Sequence, residues 1–372
     1  MNRCLVSMMI LVLFAGAARA EQPADARRSI DLAICLDTSG SMDGLIDAAR
    51  QKLWGIVNDL ALARPAPRLR VALLTYGNDG HPAADGWVSV QTDFTEDLDL
   101  VSQKLFALTT NGGTEYVGRV LATALDKLAW SGDQKALALA IVAGNESADQ
   151  DREVSFRDVC KRAITRGITV NSIYCGNPQD ELAPVWREVA TLADGQFACI
   201  DQDHGTVAIA TPFDQELGKL GAALNETYIP FGAAGKIGAA NQTAQDANAA
   251  GASCATAACR AATKASGLYN CGWDLVDAVR QNQVKLAEVK AEDLPAAMKA
   301  MSPAEREKHV SDAAARRGDL QKKIQALDQK RQVFVAEELA RQARDDSKSF
   351  DRAVRNAVRA QAAAKGFSFA SD

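Results

Sequence analysis

Five short runs, each nearly all apolar, alternate with helical patterns over the first 230 residues: 30–36, 69–76, 136–143, 168–174 and 196–200. Runs of that kind are strands covered on both faces, as in a parallel sheet. Between them, Leu45, Ile46, Ala49, Leu53, Ile56, Val57 and Leu60 form one stripe at helical spacing. Val117, Leu121, Ala124, Leu125 and Leu128 form another, each the mark of a helix with one buried face. Residues 87–92 add a strand after the turn GNDGHPAADG. The alternation predicts an α/β fold with a doubly wound, mostly parallel, Rossmann-like sheet, whose ligand site lies outside the carboxyl ends of the strands.

The ends of the chain carry different information. Residues 1–20, MNRCLVSMMILVLFAGAARA, read as a secretory signal with an early Arg, an apolar run from Leu5 to Phe14 and small residues Ala18 and Ala20. The run is too short to span a bilayer, which takes about 20 residues. The expected product is periplasmic or secreted, with an α/β domain over 28–228. Residues 229–270 are rich in Ala, Gly, Asn and Thr and lack large apolar side chains, so a linker or a poorly packed helix is expected. Residues 271–372 read as a helical tail. Its Ser302-Pro303-Ala304-Glu305 start combines a serine cap, proline in the first turn and a returning glutamate. Beyond it, Leu320, Ile324, Leu327, Arg331 and Phe334 keep a four–three spacing suited to a helical hairpin or short coiled coil, and so to oligomerisation through the tail. The last stretch, 343–365, is polar and Ala-rich and is expected to fray.

Charge is unevenly placed. Residues 29–228 hold 16 basic and 28 acidic side chains, whereas 229–372 hold 22 and 17. An acidic front half suits cations and argues against nucleic acid. Seven cysteines follow the signal. Export permits disulfides, the odd number leaves at least one thiol over, and spacing does not fix a pairing.

The first apolar run ends at Asp37 and is followed by Thr38, Ser39, Gly40 and Ser41. An aspartic protease loop would read Asp-Thr-Gly and would need a second copy to share the proton; Ser39 interrupts the first, and there is no second. A serine nucleophile at Ser39 or Ser41 would need a base from His81, His204 or His309, and neither serine has a Gly-x-Ser-x-Gly elbow. Asp37, Ser39 and Ser41 at alternate positions of an extended loop turn three hard oxygens towards one point, a set suited to Mg²⁺ or Ca²⁺. A further donor is expected from TTNGGTEY, where Gly112 and Gly113 present Thr114 and Glu115 begins a helix.

DTSGS after a buried strand, with a later GGT opening a helix, resembles the von Willebrand factor A domain. That family's metal-ion-dependent adhesion site uses an Asp-x-Ser-x-Ser loop, a threonine and a further aspartate. Asp37, Ser39, Ser41 and Thr114 match the first four positions. The stretches IVAGNE, LNETYIPFG, QDANAA and LYNCGWDLVDAV are similar to secreted bacterial proteins that join this domain to a helical tail. One position departs from the family: the fourth main strand ends in Gly144-Asn145 where Thr-Asp-Gly is usual. Asn145 offers a carbonyl oxygen without charge, with Gly144 the other possible equivalent, and Glu146 is a further candidate donor. The missing carboxylate should weaken cation binding and leave the ion more electrophilic towards an external anion.

The resemblance implies a non-catalytic module that binds a protein partner through Mg²⁺, or Ca²⁺ or Mn²⁺, the partner contributing an acidic side chain. The alternatives are an envelope enzyme subunit that recruits substrate, and a scaffold whose degenerate site folds without metal.

Overall fold

The computed structural model describes residues 27–43, 46, 56, 59–60, 63–200, 209–342 and 350–369. The expected signal, His204 and most of the helix expected over 45–60 lie outside them.

The strand β1 (Ser29–Asp37) is flanked by β2 (Arg68–Tyr76) on one side and β4 (Leu137–Gly144) on the other, both parallel to it. β5 (Ile168–Cys175) and β6 (Phe197–Ile200) continue the parallel sheet beyond β4, and β3 (Ser89–Thr95) closes the other edge antiparallel to β2. The order is β3-β2-β1-β4-β5-β6. The alternation along β1 explains the two-sided burial. Ile30, Leu32, Ile34 and Leu36 enter one core, and Ala33 and Cys35 enter the other. Helix α1 (Leu98–Phe106) packs on the first face. Helices α2 (Val117–Lys127), α3 (Phe156–Thr165) and α4 (Ala183–Thr191) pack on the second. The chain reverses its direction of winding between β1 and β4, where a doubly wound sheet opens a crevice beyond its strand ends. Asp37 and Gly144 end those two strands.

The stretch 229–270, expected as a linker or poorly packed helix, is largely two helices, α6 (Gly232–Ala252) and α7 (Cys254–Ala265), which follow α5 (Asp214–Asn225). They lack large apolar residues because much of their packing is polar. Ser102 of α1 donates to Gln245 Oε1 at 2.9 Å, and Arg260 Nη1 lies 2.7 Å from Asp99 Oδ1. Asp246 pairs with both Arg260 and Lys264 at 2.6 Å, and the Tyr269 hydroxyl donates to Asp99 Oδ2. Buried charges are tolerated only when paired in this way. The basic tail therefore meets acidic residues of its own front half: Arg260 with Asp99, Arg316 with Glu226, Arg331 with Asp214 and Arg359 with Asp59.

The first helix of the expected tail is short. α8 (Leu275–Arg280) stops before Asn282, whose φ of 57° is left-handed. After α9 (Ala296–Lys299), the capping box opens α10 (Pro303–Gln342), with the Ser302 N–H donating to Glu305 Oε2 at 2.7 Å. Its four–three seam packs on its own chain. Leu320 and Ile324 join a core with Leu217, Leu224 and Ala258, Arg331 binds Asp214 at 2.8 Å, and Phe334 meets the Phe213 ring edge-on. Among the described residues no disulfide joins any of the seven cysteines that follow residue 20.

The described part of the stretch expected to fray, from residue 350, is packed on the sheet. α11 (Phe350–Ala364) and the residues after it lie on the first face of the sheet, where Val358, Ala362 and Phe367 share a core with Ile30, Leu32 and Leu73. Gln361 exchanges two amide hydrogen bonds with Asn171 of β5, at 3.0 and 2.7 Å. Arg64 and Ser368 form a bridge. A chain cut near residue 228 would thus uncover part of the sheet. Phe367→Ala is expected to cost about 3–5 kcal/mol, as for other fully buried phenylalanines, measured by urea denaturation. An unchanged midpoint would show that the α/β part does not depend on this cover.

Candidate metal centre

β1 delivers Asp37 to the crevice fully buried, and the loop after it builds a small cage of oxygens. Asp37 Oδ1 accepts from the Ser39 N–H at 2.8 Å. Oδ2 is buried with no hydrogen-bond partner. The nearby Tyr76 hydroxyl does not serve it, because it donates to the Ala143 carbonyl at 2.9 Å. The loop is not extended throughout, as alternate spacing suggested. Residues Gly40–Met42 form a 3-10 turn closed by Met42 N–H to Ser39 O at 3.2 Å. The turn still converges the hydroxyls, with Ser39 Oγ and Ser41 Oγ 3.0 Å apart.

Asn145 joins them from the end of β4. Its Oδ1 accepts from Ser41 Oγ at 3.1 Å, and its amide donates to Ser41 O at 3.4 Å. Gly144 is excluded as the equivalent donor position. A Cβ there would stand 2.5 Å from the Tyr76 hydroxyl and 3.1 Å from Asp37 Oδ2, leaving no room for a carboxyl side chain. Glu146 is exposed; its carbonyl accepts from Trp186 Nε1 at 2.8 Å, and its charge is felt at Asp37.

The loop carrying Thr114 docks against this cage. Gly40 N–H donates to Gly112 O at 2.6 Å, and Asn111 N–H donates to Thr38 O at 3.0 Å. Asn78 ties the same two loops by donating to Thr38 O and Thr109 O at 3.1 and 2.9 Å. Gly113 lies so close to Gly77 that a Cβ would fall 1.6 Å from the Gly77 carbonyl oxygen. Gly77 itself holds φ at +73°, a left-handed conformation that favours glycine. Half-buried Thr114 stands between Gly113 and Glu115 in this docked loop.

Glu115 differs from the sequence expectation. It does not begin a helix, because α2 starts at Val117. Its side chain is buried beside the cage instead, with Oε2 accepting from Gln150 Nε2 at 3.0 Å. A carboxylate directly after Thr114 was the available sequence signal. Among the described residues neither serine has a histidine base: His81 Nε2 pairs with Thr75 Oγ1 at 2.9 Å, and His309 is exposed on α10.

Electrostatics single out Asp37. Burial pushes its carboxyl up to about 7, opposed by the Ser39 hydrogen bonds and reinforced by the charges of Glu115 and Glu146. Glu115 is raised too, mainly by burial. Among the described residues no three His, Cys, Asp or Glu side chains form a metal-binding cluster by themselves, so an ion would need the hydroxyls. One orphaned carboxylate oxygen, two converging hydroxyls and a neutral amide oxygen fit a hard divalent cation. A raised folded-state pKa means that the folded protein binds the proton more tightly than the unfolded chain. Without divalent cations, stability should therefore fall as pH rises from about 4 to 7, by up to the order of 4 kcal/mol from this group. Asp37→Asn should flatten that decline, as read by melting temperature against pH in chelator. An equally steep decline in the variant would move its cause elsewhere.

Residues 31–204 match the family model for the von Willebrand factor type A domain. No curated protein matches the chain. Among solved structures, the chain is similar to the VWA domain of SpRpn10 at 14% identity, covering 46% of this chain and 88% of that one, TM-score 0.38. A von Willebrand factor type A protein from Catenulispora acidiphila shares 18% identity over 47% of this chain and 39% of that one, TM-score 0.37. Proximal thread matrix protein 1 from the mussel byssus, with a zinc occupied MIDAS motif, shares 15% over 48% and 43%, TM-score 0.36. The chain spans less than half the length of the last two.

Proposed function

We propose that this von Willebrand factor type A domain belongs to an exported, non-catalytic interaction protein, periplasmic or secreted, that captures a protein partner through a divalent cation. The observation that carries the proposal is the orphaned, buried oxygen of Asp37 at the carboxyl edge of the sheet, in the loop where the Ser39 and Ser41 hydroxyls converge. Asp37 is the anchor, Ser39 and Ser41 supply neutral oxygens, and Thr114 is placed on the docked loop to add another. Asn145 offers an amide oxygen at the rim, and exposed Glu146 adds charge there. Mg²⁺ requires six oxygens in a near-octahedral shell and gives up water reluctantly. The donors named leave positions that an incoming oxygen can take, and an acidic side chain is the hard ligand such an ion prefers. Ca²⁺ and Mn²⁺ accept the same donors.

Non-catalytic binding is favoured because, among the described residues, neither serine has a histidine base. No described helix is long and apolar enough to cross a membrane.

Saturating Mg²⁺ should stabilise the full chain, by about 2.7 kcal/mol at a hundred times the dissociation constant. Asp37→Ala should abolish that stabilisation while keeping the circular dichroism of the folded protein. Calorimetric Mg²⁺ binding that persists unchanged in Asp37→Ala would sink the assignment.

A further inference from the structure

The charge that Asn145 lacks is present elsewhere in the same crevice. Glu115 approaches from the loop before α2, on the opposite side of the cage from β4, and is 7% exposed. One point locates it. A Cβ built on Gly77 would lie 2.7 Å from Asp37 Oδ1, 3.0 Å from Glu115 Cγ and 3.5 Å from Ser39 Cβ. Asp37 and Glu115 therefore border the same small gap, which glycine at 77 keeps open. Gln150 fixes one Glu115 oxygen at 3.0 Å, and the Ser39 hydroxyl favours the charged form of both carboxyls.

Such a pair is costly for the protein alone. Two carboxylates in one partly desolvated crevice repel each other, and each one's burial disfavours its charge. No Arg, Lys or His side chain is hydrogen-bonded or ion-paired to either one among the described residues, and Asp37 Oδ2 is left without any partner. Within this molecule the neighbours of the pair are hydroxyls, an amide and the further negative charge of Glu146. A divalent cation is the species that removes both penalties together. The protein keeps the pair buried by holding its loops in place: Gly113 on Gly77, Asn111 on Thr38 and Gly112 on Gly40.

We propose that Glu115 is the second carboxylate of the cation site, supplying from the α2 side the negative charge that Asn145 does not supply from β4. This rests on the reading of the crevice as a cation site. Its consequence is that the ion is charge-balanced within the free protein, so it is held before a partner arrives. The family's usual arrangement places that carboxylate on the other wall. Here Asn145 is released to clasp Ser41 with its amide.

The test is isothermal titration of Mg²⁺ into the full chain at pH 8 for wild type, Asp37→Ala, Glu115→Gln, Asn145→Asp and the Glu115→Gln/Asn145→Asp double variant. Glutamine at 115 keeps the shape and the contact with Gln150, so the expected loss of at least tenfold in affinity comes from charge. Asn145→Asp should restore most of that loss in the double variant and change wild type by less than threefold. If Glu115→Gln does not fold, the single Asn145→Asp variant still decides, because a gain above tenfold would mean the charge was missing. Wild-type affinity in Glu115→Gln, with binding abolished in Asp37→Ala, overturns the role of Glu115 and leaves the cation site standing. No Mg²⁺ binding by the wild type overturns both.

Discussion

A carboxylate with one unpaired oxygen, buried at the end of the central strand, is the constraint around which this molecule is arranged. Removing a charge from water without a partner costs several kcal/mol or drives the group to take up a proton. Asp37 is held in that state by β1, whose apolar residues are locked between β2 and β4 and cannot shift to relieve it. The rest of the crevice follows from this. Ser39 gives its N–H to one oxygen, the 3-10 turn brings the Ser39 and Ser41 hydroxyls together, and glycines at 77 and 113 let the neighbouring loop close against the cage.

Buried polar contacts tie the tail to the α/β unit. α1, α6 and α7 are joined by ion pairs and hydrogen bonds among Asp99, Ser102, Gln245, Asp246, Arg260 and Lys264. Removing one member of a buried pair leaves its partner uncompensated, at a cost of about 3–5 kcal/mol. Such a network tolerates few alternative packings. On the same face of the sheet, the last helix covers strands that the α/β unit alone would leave open. The two halves are therefore coupled physically, although composition divides them sharply.

The sequence made some of this legible and hid the rest for identifiable reasons. The five parallel strands announced themselves because they are buried within the sheet, so each reads as a nearly unbroken apolar run. Asp37, Ser39 and Ser41 were legible because their convergence is local, within five residues. Asn145 was legible as the residue after a strand end. Glu115 was not, since its entry into the crevice depends on α2 starting two residues later and on the space left at Gly77, 38 positions away. The packing of α6 was hidden because its buried face is built from Gln242, Gln245 and small residues rather than from leucines. That of α11 was hidden because only Val358, Ala362 and, beyond the helix, Phe367 mark it in an Ala-rich polar stretch.

If the crevice binds a divalent cation as proposed, Asp37 gives up a proton for it. Because a ligand carboxyl must be deprotonated to bind metal, binding should release protons. Titrating Mg²⁺ into the full chain in buffers of different ionisation enthalpy measures that release directly. The account predicts release approaching one proton or more per ion as pH falls below 7, disappearing above about pH 9. Mg²⁺ binding with no proton release at pH 6 would contradict it, because the ion would then be held by groups other than the buried carboxyls.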